Sequence, residues 1–88
     1  MIQPTSYQVR IKRSAEREMD RLPNRTFQRV TQAILNLESR PRPPGCVKLR
    51  GIEEYRIRVG DFRILYTIND ANRTVEIVAV GHRRDVYR

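Results

Sequence analysis

Cysteine, histidine and lysine are scarce in this 88-residue chain, and it contains no long apolar run. Each shortage excludes something. A single cysteine, Cys46, cannot close an internal disulfide. It follows Pro43, Pro44 and Gly45 with no His or Asp beside it, so it reads as an incidental thiol, not a nucleophile. Without a stretch of about 20 apolar residues there is no membrane span and no recognisable signal peptide, and the cytoplasm is the default address. One histidine, His82, leaves one side chain whose ordinary pKa lies near neutrality. Repeats, low-complexity tracts and linkers are missing too, so residues 1–88 read as one domain near the lower end of what folds alone. Any active site must then sit on the core scaffold itself.

What the chain has in quantity is arginine. The formal net charge is +8, from 18 basic against 10 acidic residues, and only Lys12 and Lys48 of the 18 are lysine. Arginine offers a planar fork that grips phosphate with two hydrogen bonds and stacks on bases, whereas lysine is the usual solubilising cation. Arginine-biased codon usage would give the same count. Both halves of the chain are basic, so charge alone does not locate a site.

Periodicity supplies the architecture. Tyr7, Val9 and Ile11 alternate with polar residues, as in a strand with one buried face. Ser14 offers an N-cap to a short helix whose Ala15, Met19 and Leu22 share a face. Pro23 and Asn24 break it, and Phe27, Val30, Ile34 and Leu37 then mark a longer amphipathic helix, stopped by Arg40 and the stretch Pro41 to Gly45. Tyr55 to Val59 and Phe62 to Ile68 alternate on either side of Gly60-Asp61, a hairpin with glycine first in a two-residue turn. After a turn at 69–73, the nearly continuous apolar run from Thr74 to Gly81 suggests a central strand buried on both faces. The expected fold is α+β: an N-terminal strand, a helix hairpin, then an antiparallel three-strand meander, giving one sheet of about four strands packed against the helices.

The hairpin register sorts side chains by chemistry. With Gly60-Asp61 as the turn, Arg58 faces Arg63 and Arg56 faces Leu65, so Arg56, Arg58 and Arg63 share the face opposite the apolar set. Directly opposed like charges cost roughly 0.2–1 kcal/mol. Either the three guanidiniums await an anion, or they splay into solvent with help from Glu54 or Asp61. Beyond the last strand, Arg83 offers a second phosphate contact, while Tyr87 offers a ring that can stack or a hydroxyl that can donate. His82 is of the residue type most often used to carry protons, although a lone histidine after a strand is more often structural. Cleavage of RNA through its 2′-hydroxyl needs positive charge on the phosphoryl oxygens, a proton acceptor, a proton donor and a surface for the base.

The order strand, helix hairpin, Lys48-Leu49-Arg50-Gly51, Tyr55-Arg56-Ile57-Arg58, Gly60-Asp61-Phe62-Arg63-Ile64-Leu65-Tyr66 and Gly81-His82-Arg83-Arg84-Asp85-Val86-Tyr87 resembles the RelE branch of the RelE/ParE toxins. The resemblance covers essentially the whole chain. It implies a toxin of a type II toxin-antitoxin system that enters the ribosomal A site and cuts mRNA there, an endoribonuclease working without a metal or other cofactor. It also implies a cognate acidic RelB-like antitoxin, contact with DNA only indirectly through the toxin-antitoxin complex, and no membrane partner. Carried over by motif, Arg58, Arg63, Arg83 and Tyr87 are the implied catalytic residues, and Lys48, Arg50, Arg56, His82 and Arg84 the implied RNA contacts. The chain departs from the pattern at one point: relatives with lysine at the basic pair can use it in proton transfer, but Arg56 and Arg58 stay protonated. Two other functions use the same scaffold: gyrase inhibition in the manner of ParE, and RNA binding without cleavage.

Overall fold

The computed structural model describes residues 6–49, 51 and 53–82. Its elements run β1 (Gln8–Ile11), α1 (Arg13–Asp20), α2 (Asn24–Asn36), β2 (Val47–Lys48), β3 (Tyr55–Val59), β4 (Phe62–Asn69) and β5 (Thr74–His82). The expected helix pair and meander are present, in a sheet of five strands ordered β1-β5-β4-β3-β2. The additional strand is β2, whose two residues pair with Arg56 and Tyr55, too short a run to show alternation in sequence. β1 lies parallel to β5, and every other pairing is antiparallel.

The helices cover one face of the sheet. Ala15 and Met19 from α1, with Val30, Ile34 and Leu37 from α2 and its C-terminal end, pack on Ile57, Val59, Ile64, Tyr66, Val75, Ile77 and Val80. Each fully buried aliphatic side chain contributes about 1.5–3 kcal/mol. Tyr66, wholly buried, donates its hydroxyl to the Pro41 carbonyl at 2.8 Å. It thereby fastens the proline-rich loop to the core.

Four expectations need correction. α1 begins at Arg13 after Lys12 and has no side-chain cap, so Ser14 lies inside the first turn. Phe27, in the first turn of α2, remains 38% exposed, where the spacing predicted burial. The centre of the sheet is β4, with β5 between it and β1. Finally, β5 is not buried on both faces: Glu76 is exposed and Val78 and Ala79 are half-buried. The pairs Leu65 with Ala79 and Tyr66 with Ile77 leave Val78 as an extra residue, a bulge that shifts the alternation by one. Ile77 and Val80 consequently face the same core, and the strand looks continuously apolar in sequence.

β1 ends at Ile11, so beyond Ile77 the edge of β5 has no covering strand among the described residues. There the Val80 N–H donates to Oε1 of Glu18 on α1 at 2.8 Å, satisfying a backbone group that the sheet leaves over. Among the described residues no helix is long and apolar enough to cross a membrane.

Candidate nucleic-acid interface

The face of the sheet away from the helices carries the arginines, and the predicted register holds at every position. Val59 pairs with Phe62, Arg58 with Arg63, Ile57 with Ile64 and Arg56 with Leu65, while Gly60 takes φ 60° at the turn, as the first residue of a tight hairpin turn requires. On the far side of β4, Arg63 pairs with Gly81 and Leu65 with Ala79. Two rows therefore cross this face: Arg58, Arg63 and Gly81, then Val47, Arg56, Leu65 and Ala79. A basic row beside a largely apolar one suits a nucleotide, which presents an anionic phosphate and a flat base.

Arg58 is exposed and Arg56 half-buried, but Arg63 is only 9% exposed. Its Nε is buried and finds no hydrogen-bond partner among the described residues. Neither Glu54 nor Asp61 forms an ion pair with it. A solvated, splayed cation accounts for Arg58 and fails for Arg63. A guanidinium desolvated beside another guanidinium is satisfied by an incoming anion, and a phosphate matches its fork.

The remaining predicted residues divide by face. The pair of Phe62 with His82 puts His82 on the apolar face, where its ring meets Phe62 edge-on at 5.7 Å, away from the face that carries Arg63. The pair of Lys48 with Tyr55 likewise sets Lys48 on the face opposite Arg56, and Lys48 Nζ lies 3.3 Å from Glu53. Arg50, Arg83, Arg84 and Tyr87 lie outside the described residues. Arg56, Arg58 and Arg63 are thus the part of the predicted set that gathers on one surface. Among the described residues no three His, Cys, Asp or Glu side chains group so as to hold a metal ion.

Sequence reasoning missed a clamp at the other end of the sheet. Asp70 accepts Nη2 of Arg42 at 3.0 Å and the Tyr7 hydroxyl at 2.6 Å. Arg42 also donates Nε to the Tyr55 hydroxyl at 3.3 Å and lies 5.3 Å from that ring's centroid, and Tyr55 stacks on Tyr66 at 5.8 Å. Arg42 first, then Tyr7, hold the Asp70 carboxyl below its ordinary range. Burial raises the Tyr66 phenol well above its ordinary value, and the neighbouring Cys46 adds to this. The clamp binds the loop that follows α2, and its partners lie 28 and 63 residues apart, with no local pattern to betray them.

The same fold recurs in known proteins. The family described as ParE toxin of type II toxin-antitoxin system, parDE, matches residues 9–87. Toxin RelG of Mycobacterium tuberculosis is 36% identical over 84 residues, covering 93% of this chain and 97% of that protein. The structure of the toxin-antitoxin complex RelBE2 from the same organism superposes with a TM-score of 0.80 at 32% identity, over 89% of this chain and 99% of that one. The archaeal RelE-RelB complex from Pyrococcus horikoshii gives 0.81 at 26% identity, over 92% and 99%. With a basic sheet face, a helix pair behind it and these relatives along nearly its whole length, the chain belongs to the ParE toxin family of type II toxin-antitoxin systems, in its RelE branch.

Proposed function

We propose that this toxin is an endoribonuclease that cuts mRNA in the A site of translating ribosomes, in the cytoplasm. The observation that carries the reading is Arg63, nine-tenths buried on the sheet face, paired in the ladder with Arg58 and lacking a partner for its Nε among the described residues. In the reaction the 2′-oxygen forms a bond to the adjacent phosphorus, the bond from phosphorus to the 5′-oxygen breaks, and one proton moves off the 2′-hydroxyl and another onto the leaving oxygen. Arg63 and Arg58 would meet the negative charge that builds on the phosphoryl oxygens. Arg83 would help to offset this charge, Tyr87 would stack on the base, and Arg50, Arg56 and Arg84 would hold flanking RNA. Lys48 and His82 leave this set, because both fall on the other face.

No proton acceptor stands in the arginine cluster, since guanidinium stays charged. The catalytic contribution of these residues is therefore electrostatic, with the ribosome aligning the 2′-hydroxyl for in-line attack, a contribution worth roughly 7–11 kcal/mol in well-oriented reactions. Free RNA should be cut poorly. Efficient cutting of purified RNA without ribosomes, at equal toxin concentration, would refute the ribosome-dependent mechanism.

An acidic, RelB-like antitoxin is the proposed protein partner. The two solved relatives described above are complexes with antitoxins, and a protein of net charge +8 attracts an acidic segment. DNA contact would come only through that complex. Co-expression with the neighbouring gene and purification of a stable complex tests this directly; a toxin that stays unbound and active beside its neighbour's product would refute it.

A further inference from the structure

A groove runs between α2 and the free edge of β3. β2 covers β3 only as far as Arg56, so Ile57 to Val59 have no outer strand among the described residues. On the α2 side, Arg29, Gln32 and Asn36 recur at spacings of three and four, share one helical face and are exposed. Opposite them are Arg58 and, further along, Pro43 and Pro44. The groove has two adjoining stretches, of about 440 and 340 Å³, and both are bordered by Asn36 and Arg58. Among the described residues no carboxylate lines either stretch, and α2 contains no acidic residue at all.

The chemistry is that of a nucleotide chain. Arg29 and Arg58 place a guanidinium on each wall, suited to phosphates. Between them Gln32 donates Nε2 to Oδ1 of Asn36 at 3.3 Å, which leaves the Gln32 carbonyl oxygen and the Asn36 amide N–H groups as an acceptor and donors for base edges. The prolines give an apolar wall for a ribose or base. Arg58 belongs to both surfaces, since it faces Arg63 in the ladder and also borders the groove. A strand whose phosphate was held at Arg63 would therefore meet Arg58 next, at the edge of β3.

We infer that this groove is the track of the mRNA strand adjoining the cut, with Arg29 holding a phosphate and Gln32 and Asn36 reading a neighbouring base. The inference rests on the proposed cleavage of mRNA at Arg63. An acidic peptide would also meet the arginines, but paired amides between two guanidiniums, continuous with the phosphate site, match an RNA strand better.

The test uses the full-length toxin with a photoreactive amino acid in place of Gln32, bound to ribosomes translating a defined mRNA. The expected result is a crosslink to mRNA within a few nucleotides of the cut. Crosslinks confined to ribosomal RNA or to protein, or none, while the mRNA is still cut at the usual site, would overturn the inference alone. Absence of mRNA cutting by the unmodified toxin would instead bring down the reading beneath it. In parallel, Arg29→Ala should keep its Tm, raise KM at least several-fold with kcat held, and lower the salt slope of binding to a single-stranded RNA oligonucleotide by about 0.7 for the lost phosphate contact. Arg29→Lys should restore most of the slope. An unchanged slope and KM in Arg29→Ala would remove Arg29 from the track.

Discussion

Arg63 shows how far a residue's type can be read from sequence and where structure must take over. Its place opposite Arg58 followed from one glycine-led turn and strict alternation, whereas its near-complete burial did not, because neighbours on other strands decide it. That burial supports the proposed anion site over a solvated, splayed side chain at this position. Arg63→Ala should lower cleavage on ribosomes by about a hundredfold, corresponding to ~3 kcal/mol of lost transition-state stabilisation, with no loss of Tm, since a desolvated like charge is removed. Unchanged cleavage in the folded variant would take Arg63 out of the site. The clamp residues make a separate prediction about pH. Asp70 has a depressed folded pKa, so its contribution to stability is complete above the ordinary carboxylate range and is lost as pH falls through the folded value. Asp70→Asn should flatten the acid limb of a plot of Tm against pH. Tyr66 has a raised pKa, so its contribution is present below the ordinary phenol value and is lost as pH rises through the folded one. Tyr66→Phe should flatten the alkaline limb and, through loss of the bond to Pro41, cost about 1 kcal/mol at neutral pH. That corresponds to a fall in Tm of roughly 4–8 °C for a domain of this size. Limbs of unchanged slope would show that these two groups are not what titrates.

At the scale of elements, two backbone features carry the sheet's shape. Glu18 on α1 accepts the Val80 N–H where β1 no longer covers β5. Glu18→Ala should cost about 1–3 kcal/mol by leaving that amide without a partner, and Glu18→Gln should recover most of it, because the acceptor remains. Equal losses in the two variants, read by denaturant unfolding, would show that charge and not the hydrogen bond matters. Gly60 sits at φ 60° with an added Cβ 3.8 Å from Arg29 Nη1, an ordinary contact. Gly60→Ala should therefore cost about 1–2 kcal/mol from backbone strain alone. A loss far above that would point to a collision which the geometry does not contain. Helices and hairpin were legible because each repeats its pattern over several turns or pairs: Ala15, Met19, Val30, Ile34 and Leu37 kept their face, and the ladder from Tyr55 to Tyr66 kept its register. β2 and the bulge at Val78 were not. A two-residue strand has no period, and a bulge turns one alternating strand into two half-strands of opposite phase that read as a single apolar run.

Taken whole, the molecule is a strongly basic body whose helices occupy one side of the sheet and whose Arg56, Arg58 and Arg63 occupy the other. Charge of this size favours fast capture by an acidic partner. Association with the antitoxin should slow as salt rises, while dissociation, governed by apolar contact, should change little. A salt-insensitive on-rate would show that electrostatic attraction does not drive the encounter. The same positive surface would attract RNA whether or not it is cut, so binding alone does not distinguish cleavage from the other functions. The most direct measurement is to map mRNA 5′ ends on translating ribosomes after expression of the toxin and of Arg63→Ala. The prediction is a set of cuts in phase with codons that appears with the toxin and fades about a hundredfold with the variant. Intact mRNA together with altered DNA supercoiling in the toxin-expressing cells would contradict it.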